Sequence, residues 1–302
     1  VISIGNLTVG GSGKTPHVAS IAASLRDEGF RIAVLSRGYG RTSRGVRWVS
    51  DGHRILSTWE DGGDEPFLLA RKLPGVPVVV GESRLEAGRD CLEKVDVDAF
   101  LLDDGFQHLQ LGRDLDILLV DSANVLGNRL SLPFGPLREP PSHARFAHAM
   151  IVTKSTDAAK GIEVARRVPF SEGKPVSVTR YSCRSIVSVD GVERPLDPAG
   201  TPVAAFSALA RNGQFEATLT KAGYDVKSFT GFRDHHRFTA GDIRAIIDKA
   251  GGLPVITTEK DLVKLPERQG ARIEALAVDV EWLSGRDALM KLIKEAIGQG
   301  PT

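Results

Sequence analysis

A chain of 302 residues with 41% hydrophobic and 25% charged residues has the composition of a folded globular protein, which excludes a disordered or low-complexity one. Its net charge of +1 supplies no global basic field for nucleic acid, and no apolar run reaches the length of a membrane span. The length favours two α/β domains over one core, and the distant Cys91 and Cys183 fit inert thiols in a reducing cytoplasm.

In chain order, short apolar runs at 1–4, 32–35, 76–80, 99–102, 117–120 and 149–152 read as strands. Helical patterns at 15–27, 64–71 and 84–94 fall between them, so a mostly parallel sheet with helices on both faces is expected. Ligands bind such sheets at the carboxyl ends of the strands. There the sequence places its polar motifs: a glycine-rich turn, Arg37-Gly-Tyr-Gly-Arg41, Gly81-Glu-Ser-Arg84, Asp103-Asp104 and Asp121.

The first of these, Gly10-Gly11-Ser12-Gly13-Lys14-Thr15, follows a strand and opens a helix, the context of a phosphate-binding loop. Backbone N–H groups and the helix N-terminus favour an anion there, Lys14 would reach the β- and γ-phosphates, and Thr15 would hold Mg²⁺. Thr8 stands where the general pattern has glycine. Asp103-Asp104-Gly105-Phe106-Gln107-His108 follows the strand at 99–102, where a Walker B carboxylate belongs; adjacent carboxylates call for a cation or a basic partner. A turn is the bland alternative for the acidic pair, as packing is for His108. Asp64 opens a helix and by periodicity alone reads as a cap. Arg37, Arg41, Arg44 and Arg47 form either a solvated loop or a contact for anionic substrate or lipid headgroups.

Near 180–202 short strand-like pieces, a turn at Asp190-Gly191 and several prolines predict a hairpin and linker. Strands at 203–206, 225–229, 255–258 and 275–280 and helices at 212–222, 239–249 and 285–297 then make a second α/β unit. The predicted division is 1–180, a P-loop NTPase-like kinase domain; 181–202, a β-hairpin linker; and 203–302, a smaller C-terminal α/β domain. Asp234-His235-His236 lies in a loop of that unit and fits either a metal site or an Asp–His pair tuning a base.

Together with Gly5–Thr15, Ser36-Arg-Gly-Tyr-Gly-Arg41 and Asp103–His108, the segments Gly63-Asp-Glu-Pro66, Arg138-Glu139-Pro140, Phe232-Arg-Asp-His-His236 and Thr257-Thr-Glu-Lys-Asp261 resemble the tetraacyldisaccharide 4'-kinases of lipid A assembly. The motifs occur in order over almost the whole chain, and Thr8 fits the family's form of the loop. The resemblance implies ATP- and Mg²⁺-dependent phosphorylation of the 4'-hydroxyl of a tetra-acylated glucosamine disaccharide 1-phosphate. It implies a peripheral protein at the cytoplasmic face of the bacterial inner membrane, with a lipid substrate; we expect a monomer without a nucleic-acid partner.

Carried over by position, the resemblance gives Gly10, Gly11, Ser12, Gly13, Lys14 and Thr15 to the nucleotide, and Thr15, Asp103, Asp104 and Glu139 to the metal. Lys14 and Asp64 become catalytic, Asp64 as the base, paired with a histidine of the second domain: His235 is preferred, with His236 open. Tyr39, Glu65, Arg84, His108 and Arg138 match further nucleotide, phosphate or substrate positions. The family also carries an apolar, helical N-terminal segment before its first strand; here the sequence starts inside that strand, so an upstream membrane-docking segment is expected. The alternative from another class is a P-loop ATPase/GTPase switch or metallochaperone, against which Thr153-Lys154-Ser155-Thr156-Asp157 is a poor guanine-reading motif.

Overall fold

A computed structural model of the chain describes residues 1–11, 13–108, 110–265 and 273–298. The first part runs β1 (Ile2–Gly5), α1 (Lys14–Asp27), β2 (Ile32–Ser36), β3 (Arg47–Asp51), α2 (Trp59–Gly62), α3 (Asp64–Lys72), β4 (Pro77–Val80), α4 (Arg84–Leu92), β5 (Ala99–Asp103) and β6 (Leu115–Asp121). After a 3₁₀ turn at Pro141–Phe146 come β7 (Ala149–Thr153), α5 (Ala158–Arg166), β8 (Val176–Ser182), β9 (Ser185–Ser188) and β10 (Glu193–Pro195). The remainder is β11 (Pro202–Ser207), α6 (Asn212–Lys221), β12 (Asp225–Gly231), α7 (Ala240–Ala250), β13 (Val255–Thr258), α8 (Glu259–Leu262), β14 (Ile273–Leu276), β15 (Asp279–Ser284) and α9 (Arg286–Gly298).

Two sheets result: a nine-stranded one ordered β15-β8-β7-β6-β1-β5-β2-β4-β3 and a six-stranded one ordered β10-β9-β14-β13-β11-β12. The larger is parallel except at its edges, where β3 and β15 run antiparallel to β4 and β8. Alternate residues of its strands face opposite sides. Ile4, Val34, Leu101 and Ile117 pack with Val18, Ile21 and Leu25 of α1. On the other face Leu35, Val79 and Leu102 meet Ala87 and Cys91 of α4, while Leu118 and Val152 meet Val164 of α5. The smaller sheet is likewise covered on both sides, by Ile243 and Ile246 of α7 and by Phe215 and Leu219 of α6. Helix starts follow local chemistry: Thr239 and Asp242 form a capping box at the start of α7, and Ser83 and Asp157 cap α4 and α5.

The expected domain division needs correction at the C-terminus. The single strand predicted at 275–280 is two strands in two sheets, β14 in the smaller and β15 in the larger. The chain then continues into α9, whose Leu289, Met290 and Ile293 enter the core beneath α1. Burying three such side chains is worth about 1.5–3 kcal/mol each, so burial, not sequence proximity, returns 279–298 to the first unit. The predicted linker also changes: the hairpin Ser185–Pro195 belongs to the smaller sheet. Two chain crossings, 182–185 and 276–279, join the sheets side by side, with Ala277 N–H donating to the Ser185 carbonyl at 3.0 Å. The sequence also hid β3, α5 and β8.

Candidate active site

Central β1 is flanked by β5 and β6, in parallel register with both, so the turn after it opens at the carboxyl edge of the sheet. Gly13 takes φ +86° ahead of α1, and a Cβ there would overlap the Tyr181 hydroxyl from β8. Only glycine suits that position. Lys14 Nζ donates to Asn6 Oδ1 at 3.2 Å and lies 3.6 Å from Asp104. Thr8, which departs from the general loop pattern, makes an extended backbone bridge to Leu137, and Arg138 N–H donates to the Leu7 carbonyl at 2.7 Å. The Arg138-Glu139 loop is thus fastened to the phosphate loop by backbone bonds. Gly10, Gly11, Gly13 and Thr15 sit around the turn as expected; Ser12 lies outside the described residues. Lys154, unassigned from sequence, donates to the Gly11 carbonyl at 2.6 Å and pairs with Asp121 at 2.7 Å.

Beside the turn, register puts Asp103 opposite Ile4. Its carboxylate is buried, Oδ2 accepts from Ser36 at 3.4 Å, and Oδ1 has no hydrogen-bond partner among the described residues. Burial foremost, then the charges of Glu65 and Asp104, raises its pKa above the ordinary aspartate value. Arg84 Nε and His108 Nε2 are also buried and unpartnered among the described residues, and the Arg84 charge acts on His108. Burial, then Arg37, lowers the Arg84 pKa; burial, then Arg84, lowers that of His108. Unsatisfied buried groups are costly, so these three side chains are candidates for contact with a bound ligand.

Of the expected metal set of Thr15, Asp103, Asp104 and Glu139, two members are engaged by neighbouring side chains. Arg138 grips both oxygens of Asp104 at 2.9 and 2.8 Å, and Glu139 Oε2 accepts from Gln107 at 3.3 Å and lies 3.5 Å from His143. Among the described residues no group of three or more His, Cys, Asp or Glu could hold an ion. The free Asp103 oxygen with the Thr15 hydroxyl still offers hard oxygen donors of the kind Mg²⁺ takes alongside phosphate oxygens.

A second cluster joins the two units. Gly63, not Asp64, occupies the cap position of α3, and Asp64 turns inward, 5% exposed. His235, at φ +58° in the loop after β12, donates from Nδ1 to Asp64 Oδ2 at 2.9 Å. The open choice of histidine is thereby resolved geometrically: His236 instead pairs with Asp242 at 3.2 Å and stacks on Phe232. Burial opposes ionisation of Asp64, yet the His235 hydrogen bond and the Lys260 and Lys264 charges leave its pKa below the ordinary value. The Asp64 hydrogen bond raises that of His235 against burial and Lys260. Tyr39 packs its ring 5.3 Å from His235, and Glu65 lies 3.5 Å from Lys260. Lys260 was missed as a site residue; its one signal was a place in the Thr257–Asp261 motif. The arginine cluster is partly structural, with Arg41 on Glu82 at 2.7 Å and Arg47 on Asp61 at 3.2 Å.

A glycine turn between a central strand and helix, a strand-end carboxylate and the cationic side chains beside them define a P-loop protein of the phosphotransferase type. The family model for tetraacyldisaccharide-1-P 4'-kinase matches residues 1–298. Tetraacyldisaccharide 4'-kinases of Anaeromyxobacter sp. (strain K) and Syntrophus aciditrophicus are 41% and 39% identical, over 100% and 93% of this chain and 82% and 79% of theirs. The crystal structure of LpxK from Aquifex aeolicus, an "apo" form in complex with ATP, superposes with TM-score 0.79 at 38% identity, covering 98% of this chain and 88% of that one. The chain belongs to the tetraacyldisaccharide 4'-kinase family.

Proposed function

We propose that this chain transfers the γ-phosphoryl group of ATP to the 4'-hydroxyl of a tetraacyl disaccharide 1-phosphate, a step of lipid A biosynthesis. The observation that carries the reading is the Asp64–His235 hydrogen bond, adjacent to Glu65, whose charge reaches Asp103 at the phosphate-loop edge. A base and a polyphosphate cradle so placed suit in-line transfer between two bound substrates.

In this reading the turn amides of Gly10–Thr15 and Lys14 hold the triphosphate, and Arg84, Arg138 and His108 complete a cationic, hydrogen-bonding wall around the transferring group. Thr15 and Asp103, with Asp104 and Glu139 near by, would hold Mg²⁺, which when bound neutralises phosphate charge. Asp64 accepts the sugar hydroxyl proton; His235 orients the carboxylate, and Tyr39 and Glu65 border the acceptor. Peripheral attachment to the cytoplasmic face of the inner membrane is part of the proposal. It is supported by the exposed apolar side chains Leu130, Leu132 and Phe134 beside the phosphate loop; no helix among the described residues is long and apolar enough to cross a membrane. We propose a monomer that binds no nucleic acid.

The test is transfer of radiolabel from γ-labelled ATP to a tetraacyl disaccharide 1-phosphate, read by thin-layer chromatography. Hydrolysis without a labelled lipid would favour the nucleotide-switch alternative. Against that alternative, Asp157 is engaged in capping α5, accepting from Lys160 N–H at 2.8 Å, rather than free to read a base.

A further inference from the structure

Lys260 sits in the first turn of α8, directly after β13, its side chain 16% exposed, among four groups of both units. Its Nζ is 3.3 Å from His235 Nε2, 3.8 Å from Asp64 Oδ2, and 3.5 Å from both Glu65 Oε1 and Asp234 Oδ1. The placement is enforced from below. Thr258 caps α8, accepting from Asp261 N–H at 3.1 Å. The buried Asp261 carboxylate accepts from Ala208 N–H at 2.8 Å and pairs with Lys264 at 2.8 Å. Lys72 on Glu259 at 2.8 Å ties α8 to α3, the helix that carries Asp64.

An ammonium group has three donors and no acceptor. Its contact with His235 Nε2 therefore requires a lone pair there, which leaves the ring proton on Nδ1, facing Asp64. An imidazolium would point a second N–H at the ammonium. We propose that Lys260 is a positioning residue for phosphoryl transfer: by donating to His235 Nε2 it holds the imidazole in the Nδ1–H tautomer that orients the Asp64 carboxylate. The inference rests on the kinase reading for its link to turnover, whereas the tautomer itself is independent of it. The charged and titratable groups facing the pair are Asp64 and Glu65 of α3, Tyr39 after β2, Asp234 before His235, and Asp261 and Lys264 around α8. With Lys260 removed, the carboxylates Asp64 and Asp234 favour the imidazolium, a poorer support for a carboxylate base.

The experiment compares Lys260→Met, Lys260→Arg and the wild-type chain in steady-state transfer to the lipid acceptor across pH, with ring-nitrogen NMR on ¹⁵N-histidine-labelled protein. A His235→Asn sample assigns the signal among the seven histidines. Above the His235 pKa, which the Asp64 hydrogen bond raises, the wild type should show a neutral His235 protonated on Nδ1. Lys260→Met should lower kcat about 10- to 100-fold at neutral pH and leave KM for ATP within about twofold. The acid limb of its kcat profile should move up by about one pH unit, and Lys260→Arg should recover most of both effects. A wild-type Nε2–H tautomer, or a folded Lys260→Met with unchanged kcat and acid limb, overturns the inference. If Lys260→Met fails to fold, the wild-type tautomer and the Lys260→Arg profile decide. A wild type that labels no lipid overturns the kinase reading instead, and the ring-nitrogen signals still decide the tautomer.

Discussion

His235 and Asp64, 171 positions apart in the chain, share a hydrogen bond of 2.9 Å that joins the two units. Arg71 and Lys72 of α3 bind the carbonyls of Val189 and Val278 at 2.6 and 3.1 Å, so the same helix that presents Asp64 is anchored to the β9–β10 hairpin and to the 276–279 crossing. The pair thus reports the relative placement of the two sheets as well as the chemistry proposed for it.

Asp64→Asn keeps the shape and the histidine contact but removes the proton acceptor. It should lower kcat by about 10²- to 10⁴-fold with ATP affinity nearly unchanged in titration calorimetry. Wild-type turnover in a folded Asp64→Asn protein would place the base elsewhere.

Lys14→Met removes the cation that lies 3.6 Å from Asp104 at the mouth of the turn. Loss of one preorganised charge on the transferring group should cost about 10²- to 10³-fold in kcat. Chelation of Mg²⁺ should abolish transfer by the wild type, and Asp103→Asn should raise the Mg²⁺ concentration giving half-maximal rate. Transfer indifferent to chelator would remove the metal from the scheme.

Gly13→Ala places a Cβ against the Tyr181 hydroxyl at a backbone φ of +86°. Strain of about 1–3 kcal/mol follows from the backbone alone, so nucleotide affinity should fall and thermal unfolding should shift downward. Tyr181→Phe relieves only the contact; full rescue by that second change would show that the left-handed backbone costs little.

His17 is fully buried under the turn, with Nδ1 at 2.7 Å from the Gly13 carbonyl and Nε2 at 2.9 Å from Thr179 Oγ1. Burial lowers its pKa to about 4. The unfolded chain therefore binds an extra proton between roughly pH 6.5 and 4, and stability is lost as pH falls through that window. Between pH 7 and pH 5 the loss from this group is about 2 kcal/mol. Urea unfolding should show that slope in the wild type and a shallower one in His17→Gln; equal slopes would mean that His17 accepts a proton in the folded state.

The chain by itself determined the α/β class, the phosphate turn and the strand-end acids, because alternating apolar runs and glycine-rich turns are local patterns that burial and backbone geometry translate directly. It also supplied Asp64 and a histidine in an Asp-His-His loop. Which histidine, however, depended on packing: Phe232 and Asp242 capture His236, leaving His235 for Asp64. The return of β15 and α9 to the first unit was invisible because 275–280, apolar except for Asp279, reads as one strand, and only the competition for buried surface splits it. Lys260 had no signature of its own, since a lysine in the first turn of a short helix is ordinarily solvated. Its meaning comes from three carboxylates and an imidazole that two separate sheets bring to one ammonium, and long-range convergence of that kind is decided by tertiary structure alone.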